Sequence, residues 1–210
     1  MNRLFGTRVY LAGPMDRVKD GGVQWRNDLT PFLNEQGVIV LDPCNKPIDV
    51  GVEDSSGREQ RVILKQEEKL EEVAKDMKVI RAVDLRMVDI CDFIIAHVDI
   101  DVHMCGTYEE ITTANRQRKP VLYHIEQGRQ NVPDWLLGVV GENSCDMIFS
   151  SWNAIKHYLK GLNSANEENV QEVYNKHRRW VFFDMQQPTK QMEIAFRRVQ
   201  RPAGANNMVD

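Results

Sequence analysis

Residues 93–125 read FIIAHVDIDVHMCGTYEEITTANRQRKPVLYHI. The run Phe93–Val98 is apolar and β-rich, which predicts a buried strand. Thr107–Gln117 has the composition and spacing of a helix, and Pro120–Ile125 predicts the next strand. Strand, helix and strand at this spacing form one βαβ unit, and such a unit makes its two strands parallel.

The same alternation extends outward from this unit. Arg8–Ala12 (RVYLA) predicts a first strand that ends in a Gly13-Pro14 turn. Trp25, Leu29, Phe32 and Leu33 fall at helical spacing, with Gly37 as the stop signal. Val38–Leu41 predicts a second strand closed by Asp42-Pro43, and residues 44–58 predict a loop. Gln60–Asp92 predicts two helices, and Trp152–Leu159 a later one. The expected fold is α/β, a mainly parallel sheet with helices on both faces of the Rossmann/flavodoxin-like kind. Such sheets bind ligands at the carboxyl ends of their strands. Here those ends are Gly13-Pro14, Asp42-Pro43, the Asp99–Gly106 loop and the segment after Ile125. One domain over 1–160 is expected, followed by a helical C-terminal extension over 161–210. In the extension Val170–Phe183 and Lys190–Val199 predict helices separated by Pro188.

Composition narrows the function classes. The chain has 210 residues, 42% of them hydrophobic and 28% charged, which suits a folded globular protein. A formal net charge of −4 argues against a polymeric nucleic-acid partner, which calls for a basic surplus. No apolar run approaches the ~20 residues that span a bilayer, and residues 1–7 lack the apolar stretch of a secretory signal. Cys44, Cys91, Cys105 and Cys145 are scattered with no CxxC pair, as expected of reduced thiols in a cytoplasmic protein. Neither a GxGxxG fingerprint nor a Walker loop is present, so dinucleotide and P-loop readings lack support.

The segment Cys105-Gly106-Thr107-Tyr108-Glu109-Glu110-Ile111 follows a buried strand and opens a helix. Glu110 is expected in the first helical turn, at the carboxyl end of the sheet. Thr107 and Glu110 also satisfy the spacing of a capping box, so a purely structural reading stands beside a chemical one. A second segment, Asp84-Leu85-Arg86-Met87-Val88-Asp89-Ile90-Cys91-Asp92, leads into the same strand.

Four stretches together resemble the nucleoside 2-deoxyribosyltransferase family, which includes 2′-deoxynucleoside 5′-phosphate N-hydrolases. They are YLAGP at 10–14, the run at 84–92, GTYEEI at 106–111 with Ala114 and Lys119-Pro120, and Pro133-Asp134-Trp135 to Phe149. Trp25-Arg26 fits some branches as well. The resemblance implies that Glu110 is the nucleophile, that Asp84 contacts the leaving base and that Tyr10 positions the nucleophile. It implies a sugar pocket walled by Gly13 and Pro14, and a homodimer or larger assembly in which the loop from Asn131 to Trp135 lies near another subunit's pocket. No cofactor and no metal are implied, and the partner is a small nucleoside or nucleotide.

The residue types suit the chemistry. Breaking an N-glycosidic bond leaves an oxocarbenium-like sugar and a negative base. A carboxylate below the anomeric carbon stabilises the first, and an acid near the base stabilises the second. One departure from the family pattern bears on substrate. Members acting on free nucleosides are similar in carrying an aspartate six residues before the nucleophile, and here that residue is Met104. This favours a 5′-monophosphate, with His103, the Gly106-Thr107 backbone N–H groups and Trp25-Arg26 as expected contacts and Arg17 and Lys19 as further cations. Asp99, Asp101 and His103 alternate and could share one face, but Asp99 or Asp101 is better read as orienting the neighbourhood of Glu110, with Asp99 among the substrate contacts, than as a metal ligand. In the extension, the basic and aromatic run Lys176–Trp180 reads as a phosphate patch or as an ordinary helix end. The expected activity is N-hydrolysis of a (2′-deoxy)nucleoside 5′-monophosphate. Base exchange between nucleosides and a non-catalytic nucleotide sensor are the alternatives.

Overall fold

The computed structural model describes residues 3–165 together with Arg179 and Trp180. Five strands, β1 (Arg8–Ala12), β2 (Ile39–Leu41), β3 (Phe93–Val98), β4 (Val121–Ile125) and β5 (Ile148–Phe149), form an all-parallel sheet in the order β2-β1-β3-β4-β5. The helices are α1 (Val23–Glu35), α2 (Ser55–Gln66), α3 (Leu70–Ile90), α4 (Cys105–Arg116), α5 (Asp134–Val140) and α6 (Trp152–Ser164). This is the flavodoxin-like strand order. Its direction reverses between β1 and β3, so a crevice opens at the carboxyl ends of those two strands.

Apolar residues on both faces of β1 and β3 explain their central place. Val9, Tyr10, Leu11 and Ala12 are fully buried, as are Phe93, Ile94, Ile95 and Ala96. The register pairs Tyr10 with Ile94, Leu11 with Ile95 and His97 with His124. Ladder partners project to one face, so Tyr10 faces α4 while Leu11 and His97 face the opposite layer. Asp92 pins the start of this pairing, because its Oδ2 accepts the Arg8 backbone N–H at 2.8 Å. Lys119 donates from Nζ to the carbonyls of Val88 and Asp89, and so satisfies the end of α3 next to the start of β4.

Some expected boundaries move. Helix α2 begins at Ser55, inside the loop expected over 44–58, because Asp54 caps it by accepting the Gly57 N–H at 2.7 Å. Helix α4 begins at Cys105, two residues before Thr107, and α6 continues past Leu159 to Ser164. Trp180 lies within the main core. It is fully buried, tilted against Phe93 at 5.6 Å between ring centroids, and its Nε1–H donates to Tyr158 Oη at 2.6 Å. Arg179 donates to the Lys119 carbonyl at 3.0 Å. These two residues therefore bind the domain itself, not a phosphate. Lys176, His177 and Arg178 and the rest of the expected helices at 170–183 and 190–199 lie outside the described residues.

Candidate active site

A cavity of about 380 Å³ occupies the crevice at the switch point. Gly13 and Pro14 bound it at the exit of β1, and His103, Met104, Gly106, Thr107 and Glu110 bound it at the exit of β3 and along α4. Helices α2 and α3 close the remaining side with Arg61, Lys65, Arg81 and Asp84, and Glu53 enters from the loop before α2.

Glu110 stands at the centre of this arrangement. The fully buried Tyr10 donates its phenolic O–H to Glu110 Oε1 at 2.7 Å. The expected first-turn position is corrected: α4 starts at Cys105 after Met104, which makes no side-chain cap, so Glu110 lies in the second turn. Thr107 is buried inside the helix and no capping box forms. The helix N-terminus therefore does not hold Glu110 ionised. Burial pushes its pKa up to about 8, and the Asp84 carboxylate adds to the rise, while the Tyr10 hydrogen bond and the Arg26 charge oppose it.

Asp84 and Glu53 share the pocket's burden of negative charge. Both carboxyls are raised, chiefly by burial, and Asp84 is the next cause of the rise at Glu53. The compensating cation is Lys46, whose Nζ lies 2.8 Å from Asp84 Oδ1 with its side chain almost wholly enclosed. The contact is an ion pair whose angles are not those of a hydrogen bond to that oxygen. Lys46 also donates to the Gly51 carbonyl, which fixes the loop after β2. Sequence reading passed over Lys46 and Glu53. Their one signal was position, at and beyond the carboxyl end of β2.

Other expected residues are placed differently. Arg26, expected at the 5′-phosphate, is fully buried and does not line the cavity. It donates to the carbonyls of Leu11 at 3.2 Å, Gly22 at 2.6 Å and Gly13 at 3.1 Å, and lies 3.6 Å from Asp42 Oδ1. With its donors spent on the chain that leaves β1, it shapes the Gly13-Pro14 turn. Glycine is required at 13 by packing, since a Cβ there would fall 2.8 Å from Trp25 Cζ2. Trp25 lies on the opposite face, stacked on Trp152 at 5.0 Å. Asp99 accepts from Gln127 Nε2 at 2.6 Å, and Asp101 accepts from the same group at 3.0 Å. Neither borders the cavity, so they do not converge with His103, which does. Arg17 and Lys19 are exposed and outside it.

The geometry thus sets a carboxylate with a fixed phenol donor beside a second acid in a nucleotide-sized crevice. The chain matches the nucleoside 2-deoxyribosyltransferase family over residues 9–181. It belongs to that family, whose members are enzymes acting on N-glycosidic bonds. No curated protein sequence matches it. Solved structures similar to it include a 2-desoxiribosyltransferase from Leishmania mexicana, at 18% identity and a TM-score of 0.47, covering 73% of this chain and 97% of that one. A 2-deoxyribosyltransferase from Bacillus psychrosaccharolyticus is similar at 14% identity and a TM-score of 0.49, covering 78% and 96%. A conserved protein from Enterococcus faecalis V583 is similar at 20% identity and a TM-score of 0.40, covering 82% and 98%. Among the described residues no helix is long and apolar enough to cross a membrane.

The raised carboxyl has a consequence for stability. The unfolded chain loses the Glu110 proton near 4.5, whereas the folded pocket keeps it until about 8. Protonated Glu110 therefore contributes stability that is fully present below about pH 4.5 and lost as pH rises through about 8. Glu110→Gln cannot ionise. Its melting temperature should exceed that of the wild type at pH 9 and approach it at pH 4, by calorimetry of the free protein. Equal differences at both pH values would mean that folding leaves the Glu110 pKa unshifted.

Proposed function

We propose that this enzyme cleaves the N-glycosidic bond of a (2′-deoxy)nucleoside 5′-monophosphate with Glu110 as nucleophile, and releases the free base to water. The observation that carries the proposal is the 2.7 Å Tyr10–Glu110 hydrogen bond at the wall of the cavity that Asp84 also borders. A phenol donating to one carboxylate oxygen leaves the other free to approach the anomeric carbon. In the free pocket the proton resides on Glu110. The positive charge that develops on the sugar ring favours the ionised carboxylate and reverses that preference. Glu110 gives its proton to Asp84 and bonds to the anomeric carbon as the bond to the base breaks, and the departing base takes that proton from Asp84. Lys46, paired with Asp84, stabilises the carboxylate left behind. Water attacks the glycosyl-enzyme in the second half, with Asp84 taking the proton. If a second base attacks instead, the same machinery gives base exchange.

The 5′-phosphate assignment has two supports. Met104, which borders the cavity, occupies the position where relatives acting on free nucleosides carry an aspartate. Its thioether takes the Asp99 backbone N–H at 3.3 Å, so no carboxylate stands there for a 5′-hydroxyl. The same cavity offers the opening turn of α4, His103 and the cations Arg61, Lys65 and Arg81. Two or three charge-assisted hydrogen bonds at about 1.5–3 kcal/mol each imply a preference of roughly a hundredfold or more.

The experiment compares kcat/KM for deoxynucleosides and their 5′-monophosphates, with free base read by chromatography. The monophosphate should win by that margin in the wild type, and His103→Ala and Lys65→Ala should narrow it. Glu110→Gln should release no base from either. A ratio near one returns base exchange to first place, and normal turnover by Glu110→Gln removes the nucleophile.

Tyr10→Phe tests the positioning role. The Tyr10 hydrogen bond lowers the Glu110 pKa, so its loss should move the acid limb of the kcat/KM profile to higher pH as well as reduce the maximum. A reduced maximum with an unmoved limb would assign Tyr10 to packing alone.

Assembly belongs to the same proposal. Trp135 is 88% exposed at the start of α5, in the loop region expected near a second subunit. We infer a homodimer or larger, buried in part on Trp135. Sedimentation should show more than one chain per particle, and Trp135→Glu should shift it towards monomer. A wild type that stays monomeric at high concentration contradicts this.

A further inference from the structure

We propose that His97, His124 and Glu126 form a binding site for a divalent transition-metal ion such as zinc, on the face of the sheet opposite Glu110. His97 on β3 and His124 on β4 are ladder partners, so both rings leave the same face of the sheet. Their Nδ1 atoms lie 3.0 Å apart. Glu126 follows β4 directly, and its Oε2 lies 3.9 Å from His124 Nδ1 and 4.0 Å from His97 Nε2. One donor atom from each residue fits within 4.8 Å of the others.

These spacings match what an ion requires. Donors bound at about 2.0–2.1 Å to a tetrahedral centre stand roughly 3.3 Å from one another. The two imidazoles already meet that condition within a few tenths of an ångström. Glu126 is exposed, so its Oε2 can close from 3.9 Å to roughly 3.3 Å of His124 Nδ1 without disturbing the core. Two imidazoles and a carboxylate are borderline donors that suit zinc and its neighbours better than magnesium or calcium. Burial holds both rings neutral, with pKa values near 4, and a neutral ring has a lone pair to offer.

The surroundings fix the rings and leave a position open. Trp152 stacks on His124 with ring centroids 3.9 Å apart and planes 16° apart, and Trp25 lies tilted on His97 at 5.3 Å. Such packing sets ring orientation as outer-shell partners do at metal centres. A second cavity of about 360 Å³ adjoins His97 and Glu126. It has room for the water or anion that completes a three-residue site. The simpler account, one shared hydrogen bond between the imidazoles, leaves a carboxylate beside two neutral rings. Among the described residues no lysine or arginine lies within 4.0 Å of Glu126. A dication gives Glu126 and both rings a common partner. On its arrival the ring that shared its Nδ1 proton carries that proton on Nε2 instead, so the rearrangement releases none. The site lies away from Glu110 and does not rest on the proposed hydrolysis.

The test uses the whole chain, dialysed against a chelator and then titrated with cobalt(II) and with zinc. Cobalt should give visible d–d absorption without the near-ultraviolet bands of thiolate ligation, which keeps the four cysteines out of the account. Zinc should bind at one ion per chain in calorimetry and raise the melting temperature. Glu126→Ala, on the surface, should fold normally and weaken zinc binding by about tenfold or more, as loss of a ligand-sphere group does. His124→Asn should abolish it. No uptake by the wild type overturns the proposal, and so does uptake that Glu126→Ala leaves unchanged. The second criterion decides even if His124→Asn does not fold.

Discussion

A carboxylate half withdrawn from water needs a reason and a support, and at Glu110 both come from the strand beside it. Burial alone would neutralise the group, and its pKa near 8 shows how far the pocket goes in that direction. The Tyr10 phenol is the largest opposing influence. That phenol is positioned by the way β1 is held. Its residues are buried on both faces, its first N–H is bound by Asp92, and the carbonyls at its far end are held by the Arg26 guanidinium. The groups that hold the partner of Glu110 in place are therefore two buried ionic side chains, neither of which touches the crevice.

The fold was legible because its signals are local. Buried parallel strands appear as short apolar runs, and Gly-Pro or Asp-Pro pairs mark where they end. The site was legible in part. Tyr10, Asp84 and Glu110 lie on regular elements whose spacing survives into the structure. Lys46 and Glu53 lie on an irregular loop, and no periodicity could have brought them to Asp84. Arg26 misled for a different reason. An arginine beside a presumed phosphate pocket is read as a ligand contact, yet the carbonyls of Leu11, Gly13 and Gly22 give it a buried place on the other side of the Gly13-Pro14 turn. The capping-box spacing of Thr107 and Glu110 was equally ambiguous. Only the start of α4 at Cys105 shows that the motif describes a pocket wall instead of a helix end.

Alternation along β3 and β4 explains why one sheet carries two polar clusters. Residues of one parity contribute to the layer of Tyr10 and Glu110, and residues of the other parity, His97 and His124, reach the layer of α1 and α6. The strands are too short for the two sets to be far apart, yet the sheet insulates them chemically. Arg26 is shared between them, since its charge bears on both Glu110 and His97.

Trp180 sets an order of events during synthesis. A ribosome has made all five strands of the sheet some thirty residues before this indole is available, yet Phe93 and Tyr158 are placed to receive it. Until then the nascent domain carries an apolar recess of tryptophan size, the kind of surface that chaperones hold and that aggregates form upon. The sheet can pair early, but the recess beside Phe93 and Tyr158 is filled only by a residue supplied from beyond the final strand.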